Sequence, residues 1–361
     1  MAKPARKTRL LRSLTRAAKA QQSMLATLLD VCAPAPARPA RKAAPRKPAA
    51  RPGLAPATGR WLAGRFPLPA TQGQAVARDM QYWLYVPDRV RDEQPLGGWP
   101  LVVMLHGCHQ SATQFAQGTR MNHVAENKGF AVLYPQQPVS VQAQRCWRWY
   151  DRATQQGGGE TGALASLIGT VCERYPIDRR RIYACGLSAG AGMAAILALN
   201  HPELIAAVAL HSGPVFGAGH GPLGALHVMR HGAPEQAGAA IHCLLRGRPA
   251  VPMPALLIQG EDDQVVAPVN QRQLARQWLQ LNGLPAGPAT RIAAKPAGRG
   301  GSRNAHEIHD YLVGRKVVLR VVRILGLGHA WSGGDPAHAF NAKAGPDASR
   351  MVLDFFGRHR R

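Results

Sequence analysis

Residues 181–195 read Arg181-Ile182-Tyr183-Ala184-Cys185-Gly186-Leu187-Ser188-Ala189-Gly190-Ala191-Gly192-Met193-Ala194-Ala195. A strand-like run meets Gly-x-Ser-x-Gly and then a helix opening of small residues. A strand-to-helix turn this tight leaves no room for side chains beside the serine. The helix start aims its free N–H groups at whatever reacts there, so the stretch has the setting of a nucleophile elbow. With 38 glycines in the chain, the pentapeptide alone arises easily by chance. The rest of the chain has to decide.

On both sides of the elbow, strand-like and helix-like patterns alternate. Strands are predicted over 80–86, 101–105, 130–134, 205–210, 255–259 and 317–325, where short apolar or β-branched runs end at turn residues. The run Leu101-Val102-Val103-Met104-Leu105 is apolar at every position, as in a strand buried on both faces of a parallel sheet. Helices are predicted over 112–128, 163–175, 271–281 and 351–359. This alternation indicates an α/β fold: a mostly parallel sheet covered by helices on both faces, with active-site loops at its carboxyl edge. Residues 214–254 break the pattern and read as an irregular insertion that either walls the site as a lid or packs on the surface. Residues 285–302, rich in Gly, Ala, Pro and basic residues, read as an exposed loop.

The 361 residues are 46% hydrophobic, ample for a core, and carry a net charge of +25. Residues 1–60 hold fourteen Lys and Arg against the single acid Asp30, so about half of that charge sits in one sixth of the chain. Within it, residues 8–30 space Leu10, Leu11, Leu14, Leu25, Leu28 and Leu29 as on one helix face, and residues 33–57 alternate Ala, Pro, Arg and Lys. The reading is a basic amphipathic helix and a linker forming a 1–60 extension, with the catalytic domain over 61–361. The helix either lies on an anionic surface, membrane or hydrophobic granule, engaged through residues 1–57, or docks its leucines on the protein itself, and the alternative for the whole extension is a solvated tail that only keeps the protein soluble. No specific nucleic acid is expected as a partner.

No apolar run approaches the roughly 18 residues of a membrane span. The N-terminus has no continuous apolar segment with a small-residue cleavage site, so Sec-dependent export is not expected. The cysteines Cys32, Cys108, Cys146, Cys172, Cys185 and Cys243 form no CxxC pair or zinc-like spacing.

A serine hydroxyl is a poor nucleophile at neutral pH, so Ser188 needs a base and the base an acid. In this kind of sheet the acid follows the serine in the chain and the histidine comes last. The strand over 255–259 runs into Gly260-Glu261-Asp262-Asp263, three carboxylates at a strand end, and the strand over 317–325 runs into Gly326-Leu327-Gly328-His329. An oxyanion hole needs two backbone donors. Ala189, next after the serine, is one candidate. Cys108, in the turn Leu105-His106-Gly107-Cys108 that ends an early buried strand, is the other.

Taken together, Leu105-His106-Gly107-Cys108-His109-Gln110, Tyr134-Pro135-Gln136-Gln137, Cys146-Trp147-Arg148-Trp149-Tyr150, Gly186-Leu187-Ser188-Ala189-Gly190 and Gly328-His329-Ala330-Trp331-Ser332-Gly333-Gly334 resemble the polyhydroxybutyrate depolymerase family, relatives of feruloyl and acetylxylan esterases. The resemblance spans roughly residues 75–357. It implies an α/β-hydrolase fold and ester hydrolysis through an acyl-enzyme, with no cofactor and no metal. It places the acid at Asp263, with Asp262 as fallback; Cys108 and Cys146 both fall in its motifs, and they either pair as a disulfide bracing the oxyanion loop or remain two buried thiols. His106, Trp147, Trp149 and Trp331 become candidates for the substrate wall, with burial in the core as the alternative.

The chain departs from that pattern in three ways. Gln259-Gly260 stands where the family has His-Gly, at a side chain expected to matter little, and Gln156-Gly157-Gly158-Gly159-Glu160 lacks an arginine before its Gly-x-Gly-Glu. The signal peptide and substrate-binding domain of secreted polymer-degrading members are not read here, so a cytoplasmic or granule-associated location is the sequence-based alternative to export. The expected activity is that of a serine esterase acting on short-chain esters, including poly(3-hydroxybutyrate) or its oligomers. Feruloyl or acetylxylan ester cleavage on the same machinery is one alternative, and a surface-binding protein acting through its basic tail is another.

Overall fold

The computed structural model describes residues 57–68, 78–88, 97–234, 238–245 and 251–361. The helix expected over 8–30 and the linker over 33–57 lie outside the described residues, Ala57 excepted.

The alternating patterns become one ten-stranded sheet. Its strands are β1 (Arg60–Leu68), β2 (Arg78–Val86), β3 (Trp99–Leu105), β4 (Ala131–Pro135), β5 (Ile177–Leu187), β6 (Ala207–His211), β7 (Ala255–Gly260), β8 (Arg291–Lys295), β9 (His306–Val313) and β10 (Lys316–Ile324). They lie in the order β1-β2-β4-β3-β5-β6-β7-β10-β9-β8. From β4 through β10 all neighbours are parallel. The flanks are antiparallel, β1 on β2 and β2 on β4 at one side, β10 on β9 and β9 on β8 at the other.

The helices are α1 (Ala112–Thr119), α2 (Met121–Lys128), α3 (Arg152–Gln155), α4 (Gly159–Arg174), α5 (Ala189–Asn200), α6 (Gly221–His231), α7 (Gly238–Leu245), α8 (Val269–Leu281) and α9 (Ala348–Phe356). Two short strands, β11 (Trp331–Ser332) and β12 (Asn341–Ala342), pair beyond the sheet.

Because successive side chains of a strand point to opposite faces, the apolar run of β3 feeds two cores. Leu101, Val103 and Leu105 join the cluster under α4, α5 and α8, which includes Leu167, Met193 and Trp278. Val102 and Met104 join the other, with Phe115 of α1, Met121 of α2 and Phe356 of α9. Burial on both faces is what an all-apolar strand requires. Truncating Leu101 to Ala would cost about 2–5 kcal/mol. The elbow helix α5 is enclosed on all sides, every residue from Ala189 to Leu199 being buried. Its run of Ala and Gly is what lets a helix sit so deep.

Two expectations need correction. The helix expected over 112–128 is split at Arg120, whose left-handed backbone (φ 55) closes α1 and opens α2. The segment 285–302, expected to be a loop, contains β8, paired with β9 from Arg291↔Asp310 to Lys295↔His306. As an edge strand it has no core face, and every one of its residues but Ala293 is exposed. Ladder hydrogen bonds and the ion pair of Arg291 with Asp310 hold it, neither of which leaves an apolar pattern. The insertion 214–254 contains α6 and α7. The backbone at Phe216 is gripped by the Gln277 side chain, and that at Ala233 by Gln273, both on α8.

Candidate active site

The elbow is built as its spacing requires. Ser188 leaves β5 with φ 57 and ψ −122, a conformation costly for a residue with a side chain, and at once opens α5. The flanking glycines are steric necessities. A Cβ on Gly190 would lie 2.0 Å from the Leu105 carbonyl oxygen, and one on Gly186 would lie 2.3 Å from the Gly190 carbonyl. The Ser188 amide donates to His211 O at the end of β6 (3.0 Å), tying the elbow to its neighbour strand.

Asp263 and His329 meet because β7 and β10 are parallel neighbours and each is followed by a short loop at the same edge. Backbone bonds clamp the two loops together: Glu261 N to Ile324 O (2.9 Å) and Asp262 N to Leu327 O (3.1 Å). His329 Nδ1 then lies 2.8 Å from Asp263 Oδ2. Of the neighbouring acids, Glu261 pairs with Arg323 instead (2.6 Å).

The Asp263 carboxylate is buried, and burial alone pushes its pKa up. Against that, His329 contributes a hydrogen bond and its charge, and the Val266 amide also donates. The net result holds the carboxyl below its ordinary range. Oδ1 accepts from the amides of Val265 (3.0 Å) and Val266 (2.9 Å), and Oδ2 also accepts from Gln259 Nε2 (2.9 Å). Gln259, expected to matter little, therefore touches the Asp263 carboxylate directly, and its amide also donates to Val266 O.

The loop after β3 lies against the serine, since a Cβ on Gly107 would sit 3.5 Å from Ser188 Cβ. Three of its four amides have protein acceptors: Gly107 N to Gln110 Oε1 (2.9 Å), His109 N to Gln144 O (2.7 Å) and Gln110 N to Gly107 O (3.4 Å). Among the described residues the Cys108 amide has none. The Ala189 amide, first in α5, has no acceptor within its helix. Cys108 is disulfide-bonded to Cys146, which fastens this loop to the Cys146-Trp147-Arg148-Trp149-Tyr150 segment. That segment is anchored in turn by Glu160, which accepts from Arg148 N (2.7 Å) and Gln137 Nε2 (2.5 Å) in the absence of the missing arginine.

The four residues considered for a substrate wall belong inside the protein. Trp147 and Trp331 have no accessible surface, nor has His106, and Trp149 is 4% exposed. His106 braces the loop after β3, with Nδ1 on Gly107 O (2.8 Å) and Nε2 accepting from Gln137 N (3.2 Å). Burial lowers its pKa to about 4 and keeps it neutral. Trp331 stacks on His211 and donates to Ser349 Oγ (3.1 Å).

The sequence reading also passed over His211 and Ser212, which end β6 between the elbow and the acid. The strand end Leu210-His211-Ser212-Gly213-Pro214 was the available signal. A broad cleft of about 1370 Å3 lies at the other end of the sheet, lined by Arg180, Arg181, Lys316 and Arg358 among others, and includes none of these residues. Among the described residues no group of three or more His, Cys, Asp or Glu is placed to hold a metal ion.

The chain resembles known proteins in the same terms. Poly(3-hydroxyalkanoate) depolymerase C of Paucimonas lemoignei is 30% identical over 194 residues, 52% of this chain and 46% of that relative. Feruloyl esterase B of Thermothelomyces thermophilus is 28% identical over 216 residues, 57% of this chain and 72% of that relative. The chain thus spans about half the length of the depolymerase. Among solved structures, an acetyl xylan esterase from Aspergillus awamori superposes with a TM-score of 0.61 at 19% identity, over 77% of this chain and 94% of that one. A likeness at that identity speaks for the fold alone, the α/β hydrolase. Residues 80–300 match the family described as Esterase PHB depolymerase. With more than half of its length in that match, the chain belongs to the Esterase PHB depolymerase family.

Proposed function

We propose that this protein is a serine carboxylic ester hydrolase in which Ser188 is the nucleophile, His329 the general base and acid, and Asp263 the residue that orients His329. One observation carries the reading: the 2.8 Å contact of His329 Nδ1 with Asp263 Oδ2, made by two strand-end loops at the edge that bears the elbow. With Nδ1–H donated to the carboxylate, Nε2 is left as the base. It takes the Ser188 proton as Oγ attacks the ester carbonyl, and returns it to the departing alcohol. The amides of Cys108 and Ala189 donate to the carbonyl oxygen as it becomes an oxyanion, each worth roughly 10²–10³ in rate. Water, activated by His329, then releases the acid from the acyl-enzyme.

The substrate class is short-chain esters, including 3-hydroxybutyrate oligomers, in keeping with the family and with the relative named poly(3-hydroxyalkanoate) depolymerase. The match to a feruloyl esterase over 72% of its length favours a second reading, a carbohydrate ester, on the same machinery. The catalytic apparatus resides in residues 61–361. Residues 1–57, with their cationic excess, engage an anionic surface such as a membrane or polyester granule.

Turnover of p-nitrophenyl butyrate that vanishes in Ser188→Ala is the expected result, and unimpaired turnover in that variant rejects the mechanism. A panel of hydroxybutyrate oligomers, methyl ferulate and acetylated xylan separates the two substrate readings. Retention on anionic vesicles that is lost with salt and on deletion of residues 1–57 tests the role given to the extension.

A further inference from the structure

β7 is apolar until its last side chain. Ala255, Leu256, Leu257 and Ile258 are buried, and strand alternation puts Gln259 on the side of Ala255 and Leu257, which join the core under α4, α5 and α8. An apolar residue would continue that face. Gln259 stands there instead, 2% exposed and four residues before the proposed acid.

Its amide is directed at a single turn. Nε2 lies 2.9 Å from Asp263 Oδ2 and 2.9 Å from Val266 O, so each of its two N–H groups has an acceptor. The opposite amide orientation would set Oε1 against these same two acceptors, which fixes which atom is which. Oε1 is left buried, and it has no protein partner among the described residues. A buried acceptor without a donor is destabilising. A polar side chain kept in spite of that, on an otherwise apolar strand, points to what its two donors hold.

The surroundings of the carboxylate show what they hold. Oδ1 accepts from the amides of Val265 (3.0 Å) and Val266 (2.9 Å), which locate one oxygen and leave the other able to swing about it. Oδ2 is the oxygen that faces His329 Nδ1 (2.8 Å). In the proposed mechanism His329 gains and loses a proton at every turnover, and it comes from a different loop. The Gln259 amide comes from the strand that carries the acid and keeps the same charge throughout. Through Val266 O it also clamps the far end of the turn.

We infer that Gln259 is a positioning residue that holds Asp263 Oδ2 in line with His329 Nδ1. The inference rests on the reading of Asp263 as the acid, and Gln259 acts through that carboxylate alone.

The decisive variant is Gln259→Leu, which keeps the bulk and removes both donors. We expect kcat on p-nitrophenyl butyrate to fall about tenfold with KM within about twofold, the scale of one hydrogen bond to a charged group. The acid limb of the kcat/KM profile should move up by about half a pH unit, because a carboxylate with one donor fewer is more basic and supports the His329 cation more strongly. Gln259→Glu keeps the reach of the side chain. Its new carboxyl donates to Oδ2 only while protonated, and once ionised it repels Asp263. Activity relative to wild type should therefore fall with rising pH in Gln259→Glu, whereas Gln259→Leu keeps a deficit on the plateau that does not change with pH.

Wild-type kcat and acid limb in folded Gln259→Leu would overturn the inference. So would a lower Tm with unchanged kcat, which is the mark of a brace for the turn alone. If Gln259→Leu does not fold, a pH-independent activity ratio of Gln259→Glu to wild type overturns it. Asp263→Asn is the control: if it is active, the assignment of the acid fails, whereas an inactive Asp263→Asn beside a wild-type-like Gln259→Leu fails the positioning role alone.

Discussion

Two serines end neighbouring parallel strands at the same edge of the sheet. Ser188 follows β5 and Ser212 follows β6, and both have positive φ, 57 and 51. Left-handed geometry at a strand end is therefore not what distinguishes a nucleophile. Ser188 opens a helix and keeps some accessible surface, with the loop of Cys108 against it. Ser212 is fully enclosed, followed by Gly213-Pro214, with its hydroxyl 3.1 Å from His211 Nδ1. The same local strain thus leaves one hydroxyl partly accessible and encloses the other within the protein, and the difference lies in what the next residues do with the chain.

The sharpest way to break the comparison is Ser188→Gly. Both serines hold a backbone better suited to glycine, so the substitution should stabilise the fold by about 1 kcal/mol. Activity should fall by about 10⁵-fold or more, since no other group replaces the nucleophile. Thermal melting and p-nitrophenyl butyrate turnover read the two effects, and a destabilised Ser188→Gly would mean that the elbow is not strained. Next in size is Asp263→Asn, expected to lower kcat by about 10³–10⁴ with little change in KM, because an amide no longer fixes the tautomer of His329. A loss of less than tenfold there would remove Asp263 from the mechanism.

How much of this was legible follows from the range of the contacts. The elbow announces itself within five residues, because two glycines are needed where a Cβ would meet backbone at 2.0 and 2.3 Å. The β3 run announces a strand buried on both faces. Choosing among Glu261, Asp262 and Asp263 depends on which way a turn aims each side chain, and chain spacing carries no such information; the family resemblance supplied it. His211 and Ser212 stayed hidden because their partners are distant in sequence, Ser332 lying 121 residues from His211. Trp147 and Trp331 look the same in sequence whether they face a ligand or the core, and only packing distinguishes the two. The edge strand β8 left no trace because nothing on it faces the core.

Opening the Cys108–Cys146 disulfide should have an intermediate effect. The bond closes a loop across a sequence separation of 38 and fastens the amide proposed as an oxyanion donor. Cys146→Ser should destabilise the protein by about 4 kcal/mol on loop-closure grounds. Its kcat should fall by about tenfold, less than the 10²–10³ expected for losing a donor outright, because His109 N to Gln144 O still holds the loop. Undiminished kcat in the folded variant would show that the loop needs no such fastening, and would leave access as the main distinction between Ser188 and Ser212.

The smallest effect is read by pH. The folded Asp263 carboxyl is held below its ordinary range, so its ionised form adds stability that is present above the unfolded pKa near 4 and lost as pH falls through the folded value. Gln259→Leu removes a side-chain donor to Asp263 Oδ2 and moves the folded value back up, shrinking that contribution at pH 5. Relative to wild type, Gln259→Leu should therefore be less unfavourable at pH 3 than at pH 5, by under about 1 kcal/mol, the scale of a single hydrogen bond. Ser188→Gly removes no donor from a carboxylate, so its advantage over wild type should be flat across the same window. Denaturant midpoints for the three proteins at pH 3, 4 and 5 make the comparison. A flat difference for Gln259→Leu would mean that its amide does not hold Asp263 in the ionised form.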